Sequence, residues 1–146
     1  MSEAMFNRIL VVCDGNICRS PTVAAMLKSL CPEKSVESAG LVGLQGHDMD
    51  PNARKVATDN GLDCAEHIAR KLTSEICANH DLILVMEARQ KDRITQRFPE
   101  ASGKVFLASH WNGKHDIPDP YRRGLEAFER IYPMMYQAAE AWAKKL

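Results

Sequence analysis

Two short runs of this sequence are apolar at every position, Ile9-Leu10-Val11-Val12 and Leu82-Ile83-Leu84-Val85. A strand with no polar positions has to be buried on both faces, as strands are in parallel sheets that helices cover. Segments with helix-like patterns lie between the apolar runs, which indicates successive βαβ units. The sequence therefore predicts an α/β fold: a four-stranded parallel sheet with helices on both faces, in a single three-layer domain with its functional site at the carboxyl edge of the strands.

Apolar runs, caps and helix stops predict the individual elements. Strands are expected at about residues 8–12, 35–38, 81–86 and 104–107. Helices are expected over 21–30, from Asp50-Pro51 to before Gly61, over a short stretch from Thr73, over 88–98, and along a C-terminal apolar stripe from Phe128 to Trp142. At least one helix thus separates each pair of successive strands, as the predicted fold requires.

Composition and charge limit the classes of function. The chain has 146 residues, enough for one domain, with residues 1–5 expected to be a flexible leader and residues 6–146 the folded domain. Its 19 basic and 19 acidic residues leave no overall field to attract nucleic acid or an anionic membrane. No apolar stretch approaches the ~20 residues of a membrane span and no signal sequence is visible, so we expect a cytoplasmic protein without membrane insertion. The five cysteines form no paired zinc pattern and are expected to be thiols.

A cysteine follows the first apolar run, and a helix start follows shortly after it, in the segment Cys13-Asp14-Gly15-Asn16-Ile17-Cys18-Arg19-Ser20-Pro21. Ser20 and Pro21 are predicted to be the N-cap and a first-turn residue of the helix. At a helix N-terminus, unpaired N–H groups and the helix dipole stabilise both a bound phosphate and a thiolate. Cys13 is therefore expected to ionise readily, although a small buried residue at a strand end is its plainer interpretation.

Other residues of the segment favour the chemical interpretation. Arg19 carries a planar guanidinium that matches two oxygens of a phosphoryl group and stays charged. Gly15 permits positive φ and Asn16 tolerates it, so that successive N–H groups can turn inward as an anion nest. The segment therefore predicts a phosphate-binding loop that carries a nucleophile.

The segment from Cys13 to Pro21 resembles the signature loop of the low-molecular-weight protein tyrosine phosphatases. In that family the general acid is the aspartate of an Asp-Pro-Tyr triplet, and here Asp119-Pro120-Tyr121 begins 106 residues after Cys13. The resemblance extends over nearly the whole chain and makes residues 6–146 a phosphatase domain. It is nearest to the bacterial branch that acts on tyrosine-phosphorylated kinases of exopolysaccharide export. The implied partner is a tyrosine-phosphorylated protein, in particular the cytoplasmic tail of a membrane tyrosine kinase. The phosphatase itself is expected to be a monomer.

The resemblance also implies catalytic roles. Cys13 attacks phosphorus, Arg19 and the loop amides from Asp14 to Cys18 and at Ser20 hold the phosphoryl oxygens, and Asp119 serves as acid and then as base. No metal or other cofactor is required, because backbone dipoles and the guanidinium supply the positive charge. From the residues alone, Asp119 fits an ordinary turn residue better, since Asp-Pro is common in turns.

Supporting roles follow from the same resemblance. Hydrogen bonds among Asn16, Ser20, Ser38 and His67 are expected to brace the loop, although without the family His67 fits a structural histidine better. Leu44 and Tyr121 are expected to form the walls of the aromatic slot. Cys18 is expected to form a disulfide with Cys13 on oxidation, with plain packing as the alternative. The polar cluster His47, Asp48 and Asp50 predicts a solvated loop rather than a metal site.

Asp14 is where the sequence departs from the family, which usually has an uncharged residue at this position. A carboxylate that points into the pocket would repel phosphate by about 1 kcal/mol at 4 Å if screened by water and several-fold more if not. A carboxylate that points outward would pair with a nearby arginine or lysine and cost little. We predict reduced, but not absent, activity relative to an Asp14→Val variant.

Three alternative functions use the same residues. An arsenate reductase has this fold and loop but needs resolving cysteines elsewhere, and the chain has none after Cys77. A protein-arginine phosphatase carries threonine where this chain has Ile17, whose extra methyl should exclude the phosphoguanidinium group. A binding module that captures phosphotyrosine without hydrolysing it is the third alternative, and Asp14 would favour it.

Overall fold

Four strands form one parallel sheet: β1 (Arg8–Cys13), β2 (Ser35–Gly40), β3 (Leu82–Val85) and β4 (Val105–Leu107). The computed structural model describes residues 6–64 and 66–146, so the predicted leader, residues 1–5, lies outside the described residues. The strand order is β2-β1-β3-β4, with Cys13 beside Gly40 in the register of β1 and β2. The predicted four-stranded parallel sheet is confirmed, and each strand lies within two residues of its expected bounds.

Among the described residues, five α-helices connect or follow the strands: α1 (Arg19–Leu30), α2 (Pro51–Asp59), α3 (Ser74–Ala78), α4 (Ala88–Arg97) and α5 (Leu125–Ala143). A 3₁₀ helix, Pro99–Lys104, leads into β4. Asp50 caps α2 by accepting hydrogen bonds from the N–H groups of Asn52 and Ala53, as its place before Pro51 predicts. In the described part of the chain, no helix combines the length and the apolar character needed to cross a bilayer.

The predicted N-cap of α1 is wrong. The helix begins at Arg19, with Cys18 in the N-cap position, so Ser20 is its second residue and Pro21 its third. Ser20 does not cap the helix because its hydroxyl contacts the sulfur of Cys13 and the side-chain amide of Asn16 instead. Pro21 remains compatible with the first turn, where a helix needs no donor from its backbone nitrogen.

Alternate residues of the two apolar strands enter two separate cores. Ile9 and Val11 of β1 pack with α1, α2 and α5 on one face, whereas Leu10 and Val12 pack with residues of α3 and α4 on the other. Side chains alternate across a strand, so a strand between two helical layers has to be apolar at every position. The three-layer arrangement therefore accounts for the uninterrupted apolar runs.

The carboxyl ends of the strands meet at one edge of the sheet. Cys13 ends β1, Gly40 ends β2, and Glu87 lies two residues after the end of β3. Gly40 is close to the loop after β1: a Cβ atom there would lie 2.6 Å from the carbonyl oxygen of Asp14 and 3.0 Å from the nitrogen of Asn16. The end of β2 thus supports the backbone of the predicted phosphate-binding loop directly.

Candidate active site

The loop between Cys13 and Arg19 is held in place by hydrogen bonds from the segment after β2 to its backbone carbonyl groups. The carbonyl oxygen of Cys13 accepts from the N–H of Leu41, and that of Asp14 accepts from the N–H groups of Val42 and Gly43, at 2.9–3.0 Å. Asn16 has a φ of 61°, the left-handed conformation that its side chain tolerates. Carbonyls held on the outer side of a turn leave the N–H groups for its inner side, which is the geometry of an anion nest.

Cys13 is 2% exposed, and its sulfur faces Ser20. The sulfur lies 3.0 Å from the Ser20 hydroxyl oxygen and 3.4 Å from the Ser20 nitrogen. The Asn16 side-chain amide donates to the same hydroxyl oxygen, so the hydroxyl proton is free to be donated to the sulfur. Both donors of Ser20 are therefore directed at the predicted nucleophile.

Asn16 is the centre of a buried hydrogen-bond network behind the loop. Its side-chain nitrogen donates to the hydroxyls of Ser20 at 2.8 Å and Ser38 at 2.9 Å, and its side-chain oxygen accepts from the Arg70 N–H at 3.0 Å. Nε2 of His67 lies 2.5 Å from the Asn16 carbonyl oxygen and has to be the donor, because a carbonyl only accepts. The four residues expected to brace the loop are thus brought together, and Arg70 joins them.

The Arg19 side chain is buried, at 1% exposure, and two residues from other segments accept hydrogen bonds from one nitrogen of its guanidinium. Its Nη1 donates to the Ile117 carbonyl at 2.7 Å and to the Glu87 carboxylate at 2.5 Å. Within residues 6–64 and 66–146, Nε and Nη2 donate no hydrogen bond, so two donors of the fork remain for a ligand. Burial alone would lower the pKa of Arg19, but the negative charges at Cys13, Glu87 and Asp119 outweigh it and raise the pKa.

Glu87 is a site residue that sequence reasoning missed. Its carboxylate pairs with Arg19 and with Arg89, and its N–H donates to the Gln90 side chain at 3.0 Å. The available signal was its position, an acid just beyond a fully apolar strand at the edge where ligands bind parallel sheets. Its pairing with Arg19, 68 residues away, depends on β3 lying beside β1.

Asp119 lies over the same cleft as Cys13. One carboxylate oxygen accepts from the Tyr121 N–H at 3.1 Å, and the other lies 3.6 Å from Nη2 of Arg19. Its side chain is 40% exposed, which leaves it accessible to a ligand and to water. The cleft has a volume of about 200 Å³, and its lining includes Cys13, Asp14, Gly15, Ile17, Cys18, Arg19, Val42, Leu44, Asp119 and Tyr121. Every predicted site residue lines this cleft except the four of the bracing network, Asn16, Ser20, Ser38 and His67.

Asp14 does not stand unpaired in this cleft. One carboxylate oxygen accepts from Nη2 of Arg89 at 2.5 Å, and the other accepts from the side-chain amide of Gln90 at 3.0 Å. Burial raises the pKa of Asp14, but hydrogen bonds from Arg89 and Gln90 and the charges of Arg89 and Arg19 outweigh it, so the pKa lies below its ordinary value. Asp14 thus lines the cleft and is also paired with an arginine, so neither of the two expected orientations describes it alone.

Cys18 lines the cleft beside Cys13 and is buried. Burial raises its pKa well above the ordinary value for a thiol, and the negative charges of Asp50, Cys13 and Asp119 act in the same direction. Cys18 is therefore a neutral thiol at physiological pH. The disulfide with Cys13 stays a prediction.

The polar cluster at 47–50 has local partners. His47 contacts the Leu44 carbonyl through Nδ1, Asp48 pairs with Arg54 at 2.7 Å, and Asp50 caps α2. Among the residues that the structure describes, no group of three or more histidine, cysteine or acidic side chains is arranged to hold a metal ion.

Comparison with known proteins identifies the family. Residues 8–146 match the family model described as low molecular weight phosphotyrosine protein phosphatase. The chain is 47% identical over 142 residues to the low molecular weight protein-tyrosine-phosphatase Wzb of Escherichia coli K12, covering 97% of each chain. Its fold matches that of Vibrio vulnificus Wzb in complex with benzylphosphonate with a TM-score of 0.94 and 49% identity, covering 97% and 99% of the two chains. It also matches the YwlE arginine phosphatase from Geobacillus stearothermophilus, with a TM-score of 0.89 and 33% identity, covering 95% and 92%.

The chain belongs to the low molecular weight phosphotyrosine protein phosphatase family, because the family model spans nearly all of it. The expected family and fold class are thereby confirmed.

Proposed function

We propose that this protein hydrolyses phosphotyrosine in proteins through a phosphocysteine intermediate. One observation carries the proposal: the Cys13 sulfur, two unbonded donors of the Arg19 guanidinium and the Asp119 carboxylate all face one cleft of about 200 Å³. This combination supplies a nucleophile, a stabiliser of phosphoryl charge and an acid for the leaving group.

The first step transfers the phosphoryl group to sulfur. Nε and Nη2 of Arg19 and the inward N–H groups of the loop bind the three terminal oxygens of the phosphate. The Cys13 thiolate attacks phosphorus in line with the phenolic oxygen, so that an S–P bond forms while the O–P bond breaks. Protonated Asp119 donates its proton to the departing phenolate oxygen, which leaves as tyrosine.

The second step regenerates the enzyme. Asp119, now a carboxylate, accepts a proton from water, and the water oxygen attacks phosphorus. The S–P bond breaks, inorganic phosphate forms and Cys13 returns to the thiolate. Ser20 stabilises the departing sulfur, because both its hydroxyl and its N–H are directed at it.

The cleft walls favour an aromatic phosphate ester. Tyr121 and Leu44 supply an aromatic ring and an apolar side chain for contact with a phenyl ring, while Ile17 occupies the position at which arginine phosphatases carry threonine. We therefore propose phosphotyrosine rather than phosphoarginine as the substrate, although a YwlE arginine phosphatase shares the fold.

The partner is proposed to be the tyrosine-phosphorylated cytoplasmic tail of a membrane tyrosine kinase that controls exopolysaccharide production. The likeness to a bacterial Wzb phosphatase supports this assignment. The protein would act in the cytoplasm as a monomer, with residues 6–146 as its phosphatase domain and without a metal or other cofactor. Trapping a partner from lysate with Cys13→Ser or Asp119→Ala tests the identity of the substrate.

Rapid-mixing kinetics with nitrophenyl phosphate test the chemistry. The parent should release a burst of nitrophenolate equal to the enzyme concentration, and Cys13→Ser should release none. Asp119→Ala should lower kcat by about 10²-fold or more for a phosphotyrosine peptide, because the leaving group then lacks its proton donor. A parent that binds the peptide without turnover would instead be a binding module, and faster release of phosphate from phosphoarginine than from phosphotyrosine would indicate an arginine phosphatase.

A further inference from the structure

Besides the proposed acid Asp119, two carboxylates flank the guanidinium that is proposed to bind phosphate. Glu87 lies 2.5 Å from Nη1 of Arg19, and Asp14 lies 3.6 Å from Nη2. Asp14 directly follows the nucleophile in the chain and lines the substrate cleft. A negative charge at this place opposes the entry of a phosphate dianion, unless another positive charge compensates for it.

Arg89, in the first turn of α4, contacts both of these carboxylates. Its Nη2 donates to Asp14 at 2.5 Å, while its Nε lies 3.1 Å from one oxygen of Glu87 and its Nη2 3.4 Å from the other. The four side chains of Arg19, Arg89, Asp14 and Glu87 therefore form a cluster with two positive and two negative charges. Without Arg89 these four side chains would lose one positive charge, and Arg19 alone would face both carboxylates in addition to that of Asp119.

The position of the Asp14 carboxylate depends on the same helix. Gln90 donates to the second oxygen of Asp14, and its own side-chain oxygen accepts from the N–H groups of Met86 and Glu87. Gln90 is completely buried, so this contact is rigidly supported. Arg89, in contrast, is 55% exposed and contributes little by packing. Its contribution has to come from charge and hydrogen bonding.

We propose that Arg89 is a positioning residue that holds the Asp14 carboxylate against α4 and cancels its charge, so that the loop can accept a phosphate dianion. The inference deepens the proposed function and rests on it, because the phosphoryl group is the anion that the loop receives. Asp14 and Arg89 are then a matched pair: the effect of removing Arg89 depends on whether Asp14 is present.

Charge-cancelling variants test the pair through kcat/KM for nitrophenyl phosphate. Arg89→Gln should lower kcat/KM by about tenfold, because Asp14 and Glu87 then act on Arg19 without compensation. Adding Asp14→Asn should restore kcat/KM to within about threefold of the parent, since it removes the charge that needs compensation. Arg89→Lys should fall between the parent and Arg89→Gln, because it keeps the charge but loses the fork. Arg93→Gln, which removes an exposed positive charge from the same helix, is the matched control and should resemble the parent.

Binding of inorganic phosphate provides a readout that needs no turnover. In the Cys13→Ser background, Arg89→Gln should weaken the calorimetric Kd for phosphate by about tenfold, and the further change Asp14→Asn should recover most of that loss. If the parent bound phosphate with this pattern but did not hydrolyse nitrophenyl phosphate, the proposed function would fail and the pairing would stand. The pairing is overturned if Arg89→Gln behaves like Arg93→Gln, or if the double variant binds phosphate as poorly as Arg89→Gln alone.

Discussion

At the scale of single residues, the charge of Asp14 should affect the activity without changing its dependence on pH. Its pKa lies below the ordinary value of 3.8, because the contacts with Arg89 and Gln90 outweigh the effect of burial. The carboxylate is therefore ionised throughout pH 5 to 8, and its titration does not contribute to the activity profile in that range. An uncharged residue at this position should consequently change the height of the profile but not its shape.

Asp14→Val should raise kcat/KM for nitrophenyl phosphate by about twofold, a small increase because Arg89 already compensates for most of the charge. The ratio of the variant to the parent should stay constant from pH 5 to 8. Steady-state kinetics at four pH values check both statements. Equal kcat/KM for the two proteins at every pH would refute the effect, and a ratio that falls toward pH 5 would show that Asp14 is protonated there.

Cys18 has the properties of a thiol that acts only after Cys13 has been oxidised. Burial raises its pKa, so it stays protonated at neutral pH and does not compete as a nucleophile. When peroxide converts Cys13 to a sulfenic acid, the Cys18 sulfur can attack the Cys13 sulfur, form the disulfide and release water. Activity of the parent should then return with dithiothreitol, whereas Cys18→Ser should lose most of this recovery. The prediction fails if inactivation of Cys18→Ser is as reversible as that of the parent.

At the scale of secondary-structure elements, the support of the loop by the end of β2 depends on the absence of a side chain at Gly40. A Cβ atom there would lie 2.6 Å from the Asp14 carbonyl oxygen, so the loop backbone would have to move. Gly40→Ala should lower kcat/KM by about tenfold or more and destabilise the protein by about 1–3 kcal/mol. Kinetics and urea unfolding measure the two effects.

Gly103→Ala is the matched control for this prediction, because nothing lies within 4 Å of the Cβ position there. It should leave both kcat/KM and the free energy of unfolding close to those of the parent. A Gly40→Ala variant with parental activity would show that the loop does not depend on its contact with β2.

Most elements were predictable because their signals are local. The apolar runs of β1 and β3 and the Asp50-Pro51 start of α2 involve neighbouring residues only, and each element lies close to its expected bounds. The start of α1 was not predicted correctly, because Ser20 carries an N-cap signal but its hydroxyl is engaged by Cys13 and Asn16. A prediction from neighbouring residues fails where the side chain makes a different contact in the folded protein.

At the scale of the whole molecule, many residues of the site could be proposed from the sequence, but Glu87 and several of the contacts could not. The loop from Cys13 to Arg19 has its own sequence pattern, and the resemblance to a family supplied Asp119 and His67. The pairs of Arg19 with Glu87 and of Asp14 with Arg89 join residues 68 and 75 positions apart, and nothing in the sequence marks them as partners. They arise because the strand order β2-β1-β3-β4 brings the end of β3 beside the end of β1.

The stability of the folded chain in acid depends on another such long-range contact, between β2 and the segment before α3. Glu37 of β2 pairs with Arg70 at 2.7 Å and lies 3.3 Å from Nε2 of His80. The hydrogen bond from Arg70 lowers the pKa of Glu37 below its ordinary value of 4.5, against the opposing effect of burial. A carboxylate with a lowered folded-state pKa stabilises the protein above its unfolded-state pKa, and this contribution is lost as the pH falls through the folded-state value.

Glu37→Gln should therefore lower the free energy of unfolding at pH 7 by about 0.5 kcal/mol, a small amount because the pair is partly exposed. The difference from the parent should persist at pH 5.5, and it should shrink as the pH falls below 4.5 and then through the lower folded-state pKa of Glu37. Urea unfolding at pH 7, 5.5 and 3.5 measures this, with Glu33→Gln at an exposed position of the turn before β2 as the control. A difference of the same size at all three pH values would assign the effect to packing rather than to the charge of Glu37.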